Sequence, residues 1–522
     1  MKKLTIFTLL LFCLSLNYLS AQVITPAQID NLVEKVLKAF DVPGISVGII
    51  KDDKLIFAKG YGLRSLDNKK TMDENTLVGI ASNSKAFTSA ALGILIDEGK
   101  LKWDTKVTDI IPEFKMYNPY VTEEFTITDL LTHRSGLGLG AGDLMMWPDS
   151  SNFTKTDIIH NLRYLKPVSS FRTKYDYDNN LYIVAGEVIA RASGMSWEDF
   201  IEKRIMHPLS MSRSAASIYR LKDKSNIINA HAPIDGKVQV IKTDWSETAN
   251  AAGGIYSNIT DLSKWLIMQM NNGKYGDGLS KQLFSEAVHD DMWSPQTIIK
   301  TRGGGPYNTH FASYGLGWGL TDVKGMKQCS HTGGLAGIVT QITLIPEMKL
   351  GIIVLTNQQS GAAFNAVTNT IKDSYLGVTG QDRVQQMVDR VQKGDAEAKK
   401  IMSEIWSNIE NQQKTAKSCV AIDSFTGTYT DAWFGDIVIS NDNSKMRFNS
   451  KRSPRLRGDM LYYKANTFVV KWDDRSMDAD AFLVFTLDSE GKAEGIKMNA
   501  ISPLTDFSFD FQDLDFKRKK GN

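Results

Sequence analysis

The chain has 522 residues, 42% of them hydrophobic and 23% charged, which excludes a disordered polyelectrolyte and exceeds what one hydrophobic core usually organises. Its 61 basic and 59 acidic residues nearly cancel, so nothing in the charge balance points to nucleic acid as a partner. Three cysteines cannot build a disulfide scaffold, and seven scattered histidines without His-Glu-x-x-His or Cys-x-x-Cys spacing give no sign of a metal or of any cofactor.

Lys2 and Lys3 precede an apolar run from Leu4 to about Leu16 and a stretch ending in Ser20-Ala21, the pattern of a secretory signal cleaved after Ala21. That run is shorter than the roughly 20 residues a bilayer span requires. The mature protein is therefore expected to be exported, periplasmic or extracellular, without a stable membrane span. Cleavage removes Lys2, Lys3 and Cys13, which cancels the formal charge of +2 and leaves Cys329 and Cys419, expected as free buried thiols.

Thr25-Pro26-Ala27-Gln28 carries a capping residue, a proline at the first helical position and a glutamine to complete the box. Ile29, Leu32, Val33, Val36, Leu37 and Phe40 follow at helical spacing. Two strands come next, Ile45 to Ile50 and Leu55 to Ala58, around a turn at residues 51–54. From Ala86 to Glu98 small and apolar residues run almost unbroken, which predicts a helix buried on most sides and stopped at Gly99. Residues 100–300 are rich in helix starts and loops, and strands return at Gln341 to Ile345 and Gly351 to Leu355. This order predicts an α+β fold, one antiparallel sheet flanked by helices. Residues 378–420 read as a helical connector. Beyond Phe425, closely spaced short strands predict a small all-β sandwich or barrel. The expected divisions are a signal peptide over 1–21, a main domain over 22–377, the connector, a β domain over 421–516 and a solvated basic tail over 517–522.

Ser82-Asn83-Ser84-Lys85 opens the buried helix, and residues three apart on a helix share a face. The Lys85 amine can thus lie beside the Ser82 hydroxyl, and a lysine packed among apolar groups can lose its proton near neutral pH and accept one from serine. Two further patterns follow in order: Tyr177-Asp178-Asn179 ahead of a helical run, and His331-Thr332-Gly333-Gly334 shortly before the strand at Gln341. Between them stand the phrases Leu130-Leu131-Thr132-His133-Arg134-Ser135-Gly136-Leu137, Ala252-Gly253-Gly254-Ile255-Tyr256-Ser257 and Tyr314-Gly315-Leu316-Gly317-Trp318-Gly319.

With these motifs the chain resembles the serine β-lactamase and penicillin-binding superfamily of class C type over about residues 26–376. Its C-terminal strands more loosely resemble the small lipocalin-like β domain fused to some members. The resemblance implies an all-helical subdomain beside the sheet, Ser82 as the acylated nucleophile, and Lys85 and Tyr177 sharing the proton transfers. It places Asn179, His331, Thr332, Gly333 and Gly334 in substrate binding, with the Ser82 and Gly334 N–H groups as the oxyanion hole. His331 stands where lactamases and transpeptidases usually carry lysine, a departure that resembles the aminopeptidases and esterases of the family.

The expected function is hydrolysis of an amide or ester through an acyl-Ser82 intermediate. A true class C-like β-lactamase or DD-carboxypeptidase is the alternative, and a catalytically silent peptide- or lipid-binding protein is the alternative from another class. The partner is a small peptide, ester or lactam, and the sequence leaves room for a homo-oligomer. Gly44-Ile45-Ser46-Val47-Gly48 matches a nucleophile-elbow pattern but lies within a strand that continues to a hairpin, so Ser46 is read as structural. His133 and Ser135 are read as supporting the site from a loop, Cys329 as a buried core residue, and Tyr256 and Trp318 as core aromatics.

Overall fold

A computed structural model describes residues 23–301, 303–415, 422–442 and 445–519. The proposed signal segment, Cys13 and Cys419 lie outside the described residues. At the start of the first helix, α1 (Pro26–Ala39), the Thr25 hydroxyl accepts from the Gln28 N–H at 3.3 Å while the Gln28 side chain accepts from the Thr25 N–H at 2.8 Å. The box thereby satisfies N–H groups that a helix start leaves unpaired.

The main sheet has eight strands: β1 (Gly44–Lys51), β2 (Lys54–Gly62), β3 (Thr297–Ile299), β4 (Ala312–Tyr314), β5 (Gly319–Val323), β6 (Met326–Leu335), β7 (Ile338–Ile345) and β8 (Leu350–Thr356). Their spatial order is β2-β1-β8-β7-β6-β5-β4-β3, and every pairing is antiparallel. β1 and β8 are buried almost end to end, because helices cover both faces. On one face Ile45, Val47, Ile49, Ile352 and Val354 pack with α1 and with the helix Gly361–Leu376. On the other, Ile50, Ile353 and Leu355 join a core that includes α2 (Ser84–Asp97) and the helix Ile259–Met270. Every residue of α2 from Ser84 to Leu95 is buried, and Phe87 stacks on Trp265 with centroids 3.8 Å apart. Helices between residues 107 and 206, the longest of them Asn180–Ser193, form the helical part beside the sheet.

A 33-residue helix, Arg383–Thr415, leads to a closed barrel of eight antiparallel strands between Gly427 and Arg518. Inward positions alternate along the strands, as in Ile437 and Ile439, Phe468 and Val470, Leu483 and Phe485. Phe425, Phe468 and Phe485 meet edge to face at 4.8–5.6 Å, so aromatic side chains fill the barrel. Outside it, Val469 and Ile501 pack on Ile405 and Ile409 of the long helix.

The expected basic tail needs correction. Its first residues belong to the last barrel strand, Phe516–Arg518, which pairs with Gly427–Asp431 to close the barrel. Arg518 donates to the carbonyls of Ser424 and Ala493, and Lys519 reaches Asp436 at 2.7 Å. A closing strand must find the free edge of the first one, and these cations have outward partners that make the closure compatible with their charge.

Gly333 marks the tightest approach of the sheet to the turn ahead of α2. A β-carbon there would meet the Ile80 carbonyl oxygen at 2.3 Å and Thr340 Oγ1 at 2.5 Å, atoms already tied to each other by a 3.0 Å hydrogen bond. Gly333→Ala is expected to lower stability by about 1–3 kcal/mol, read as a lower urea midpoint at unchanged m-value. An unchanged midpoint would contradict this packing.

Candidate active site

Ser82 lies in a single helical turn, Ala81–Asn83, immediately before α2. Three contacts pin that turn: Ile80 N–H donates to the Ile255 carbonyl at 2.8 Å, Asn83 Nδ2 to Thr340 Oγ1 at 2.9 Å, and Ile255 N–H to Ser84 Oγ at 3.1 Å. Ala81 adopts a φ of 51°, a conformation that a residue bearing a β-carbon takes only when its surroundings impose it. Ala81, Asn83, Ser84 and Lys85 are buried, while Ser82 is partly exposed and opens into a cleft of about 610 Å³.

The Lys85 amine faces three oxygens: Ser82 Oγ at 3.0 Å, Asn179 Oδ1 at 2.7 Å and the Ala252 carbonyl at 2.9 Å. Asn179 Oδ1 and the carbonyl can only accept, so they claim two N–H bonds. A neutral amine then has its lone pair left for the Ser82 hydroxyl hydrogen. Burial pulls the Lys85 pKa down to about 7, against the opposing pull of Asp143 and Asp178. Burial likewise pushes Asp178 up to about 7 and Asp143 well above the carboxylate range.

Tyr177 stands over this group, its ring centroid 4.9 Å from Lys85 Nζ. Its hydroxyl is buried, with the Ser82 hydroxyl beside it. Burial raises its pKa well above the usual phenol value, although the neighbouring Ser82 hydroxyl acts in the other direction. The ring leans on His133 with centroids 4.2 Å apart, and His133 also meets Tyr314 at 4.6 Å. The Asp178 N–H donates to His133 Nδ1 at 3.1 Å, so the proton of the neutral ring sits on Nε2. His133 thus supports the site from beneath Tyr177. Ser135 Oγ accepts only from the nearby Leu137 N–H, within its own turn.

On β6 the period of two decides which residues meet the cleft. Thr332 and Gly334 are exposed to it, whereas His331 and Gly333 are buried. Gly333 packs on Ile80 and does not line the cleft. His331 contributes a ring edge to the wall, and its nitrogens are both committed. A carbonyl cannot donate, so the 2.6 Å contact to the Thr332 carbonyl places the proton on Nδ1, and Nε2 accepts from the Tyr314 hydroxyl at 2.9 Å. Burial, reinforced by Lys85, holds the His331 pKa down at about 3. It is a neutral imidazole at physiological pH.

The remaining sequence candidates fall outside the cleft. Ser46 Oγ donates to the Asp73 carbonyl at 3.0 Å within the sheet, and Cys329 is a free thiol, fully buried on β6. Tyr256 and Trp318 are core residues. Seven contributors are not legible in the sequence: Asp143, which accepts from Asn179 Nδ2 at 2.8 Å; Tyr314 as the partner of His331; the Ala252 carbonyl; and Leu504, Phe507, Ser508 and Phe509 of the C-terminal domain on the cleft wall. Tyr314 and Ala252 lie inside the phrases Tyr314-Gly315-Leu316-Gly317-Trp318-Gly319 and Ala252-Gly253-Gly254-Ile255-Tyr256-Ser257, whereas the others carry no local signal.

A family model described as Beta-lactamase matches residues 29–376, and one described as Domain of unknown function (DUF3471) matches residues 411–518. Unguisins hydrolase ungD of Aspergillus violaceofuscus is 26% identical over 449 residues, covering 81% of this chain and 78% of its own. Protein flp of Staphylococcus aureus is 27% identical over 340 residues, 64% of this chain and 63% of its own. Among solved structures, the octameric penicillin-binding protein homologue from Pyrococcus abyssi superposes with a TM-score of 0.61 at 20% identity, over 94% of this chain and 100% of that one. A class C beta-lactamase superposes with a TM-score of 0.54 at 21% identity, over 68% and 96% respectively. The chain belongs to the beta-lactamase family and is a serine hydrolase of that mixed α+β fold, extended by a C-terminal barrel.

Proposed function

We propose that the protein is an exported hydrolase that cleaves an amide or ester lacking a carboxylate anchor, through an acyl-Ser82 intermediate. The carrying observation is the Lys85 amine, 3.0 Å from Ser82 Oγ with its other two directions occupied by pure acceptors. Neutral Lys85 takes the Ser82 proton as Oγ adds to the substrate carbonyl. The N–H groups of Ser82 and Gly334, both on the cleft wall, are suited to receive the developing oxyanion, a contribution of about 3 kcal/mol per donor in comparable sites. Collapse breaks the bond to the leaving amine or alcohol, which takes the proton from Lys85. Tyr177 stays a phenol at rest and serves as a proton donor and relay above Ser82. Water then attacks the acyl group, returning a proton to Ser82 by the reverse path.

The substrate class follows from the charges on the cleft wall. Among the described residues lining it, the basic side chains are His331 and Arg455. His331 is neutral, and Arg455 is committed to Asp149 and Asp474. Among these described residues no uncommitted cation rewards a substrate carboxylate, while Met146, Trp147, Trp245, Leu335 and Phe507 supply apolar wall. A nitrophenyl ester or aminoacyl amide is expected to turn over at least about a hundredfold faster in kcat/KM than a chromogenic cephalosporin, about 3 kcal/mol of discrimination. Comparable rates on the cephalosporin would restore the lactamase reading.

A fluorophosphonate is expected to add its mass to the Ser82 peptide, and Ser82→Ala to lower ester turnover by about a thousandfold or more at nearly unchanged melting temperature. Because the amine must be neutral to act, the wild-type labelling rate should rise with pH through a midpoint near 7 and fall away below it. That midpoint belongs jointly to Lys85 and the buried acids beside it. A folded protein that takes no label, or an active Ser82→Ala variant, would remove Ser82 from the mechanism. Export rests on the N-terminal residues alone. Secreted or periplasmic material should begin at Gln22 on N-terminal sequencing, and an intact Met1 in cytoplasmic material would contradict export.

A further inference from the structure

The loop between the barrel strands Ala493–Ala500 and Phe516–Arg518 reaches out of the barrel onto residues 140–144 and the wall of the cleft. Three contacts lock it there. Gly140, at a φ of 72°, lies so close to residue 507 that a β-carbon would meet the Phe507 carbonyl oxygen at 2.7 Å. Asp510, fully buried, accepts from the Gly142 N–H at 2.6 Å and the Leu144 N–H at 3.0 Å. Between them the Ser508 hydroxyl donates to Asp143 Oδ2 at 2.9 Å.

That same Oδ2 accepts from Asn179 Nδ2 at 2.8 Å, and Asn179 Oδ1 receives the Lys85 amine at 2.7 Å. An asparagine amide can sit in two orientations, and only one turns oxygen toward an N–H donor. Asp143, accepting at Oδ2, selects the orientation that Lys85 needs. Asp143 is itself fully buried, and its Oδ1 has no partner. Two hydrogen bonds on one oxygen, from Asn179 and from Ser508, therefore set its rotamer.

We propose that Ser508 is a positioning residue for the reaction: a hydroxyl of the C-terminal domain, acting through Asp143 and Asn179, holds the Lys85 amine against Ser82. This rests on the acylation reading above. It makes the barrel a working part of the active site, so that the base is correctly held only when the two domains are docked. Without the Ser508 hydroxyl, Asp143 is free to rotate about its bond to Asn179, and the amide loses its fixed sense.

The test measures the rate constant for fluorophosphonate labelling of Ser82 in the full chain from about pH 5 to about pH 9. Ser508→Ala is expected to lower the alkaline plateau about tenfold or more at nearly unchanged melting temperature. Ser508→Thr, which keeps a hydroxyl donor, should hold the parent plateau. A Ser508→Ala plateau equal to the parent's, or a Ser508→Thr plateau as low as that of Ser508→Ala, would reduce Ser508 to packing and overturn the proposal. A wild-type chain that takes no label at any pH would instead sink the acylation reading, an outcome visible before any variant is compared.

Discussion

The structure turns on an amine buried at the tip of a helix. Taking a lysine head group out of water carries a large penalty for the charged form, and the fold neither leaves Lys85 exposed nor gives it a carboxylate in direct contact. It offers a serine hydroxyl, an amide oxygen and a backbone carbonyl instead. Those partners satisfy a neutral amine as well as an ammonium, so the charge can leave without stranding a hydrogen bond. Much of the surrounding architecture serves that arrangement: an α2 buried from Ser84 to Leu95, a nucleophile turn tied to β7 through Thr340, and a Gly333 without a side chain to push β6 away.

Around the amine the protein keeps its titratable groups neutral. Burial disfavours charge on Tyr177, Tyr314, His133, His331 and Asp143 alike. The result is a cluster of rings whose hydrogen bonds have a fixed sense, Tyr314 donating to His331 and His331 donating to the Thr332 carbonyl. A lysine in place of His331 would bring a permanent charge to the cleft edge and would compete with Lys85 for neighbouring carboxylates. The histidine avoids both effects, which is the physical basis of the proposal that this cleft takes substrates without a carboxylate anchor.

Local chemistry made part of this legible in the sequence. The capping box at Thr25, the hairpin strands, the all-round burial of α2 and the meeting of Ser82, Lys85, Tyr177, Asn179 and His331 each depend on short-range spacing or on motifs kept in order. What could not be read depends on partners far away in the chain. β6 is legible only through its motif, because Met326–Leu335 carries few apolar residues and lacks the apolar alternation that marks a half-buried strand. Asp143 follows Gly140 and Gly142 in what reads as a solvent loop, and Ser508 and Asp510 sit among acids that read as surface. Their burial exists only once two domains meet. The last barrel strand reads as a tail in the sequence, because a run of lysine and arginine resembles a solvated end until Asp436 and the Ser424 carbonyl come into view.

The barrel completes the picture: its interior is filled by its own aromatic side chains, so its contribution to the cleft comes from the loop around Ser508. Across that loop the two domains share one hydrogen-bond chain that ends at the reacting hydroxyl. The claim on which the rest stands is that Lys85 gives up its proton near neutral pH in the resting protein. An NMR titration of isotope-labelled lysine side chains, with the Lys85 resonance assigned by its loss in Lys85→Arg, reads that proton directly. A midpoint near 7 is expected; a Lys85 signal that titrates with the surface lysines near 10.5 would contradict a neutral resting amine.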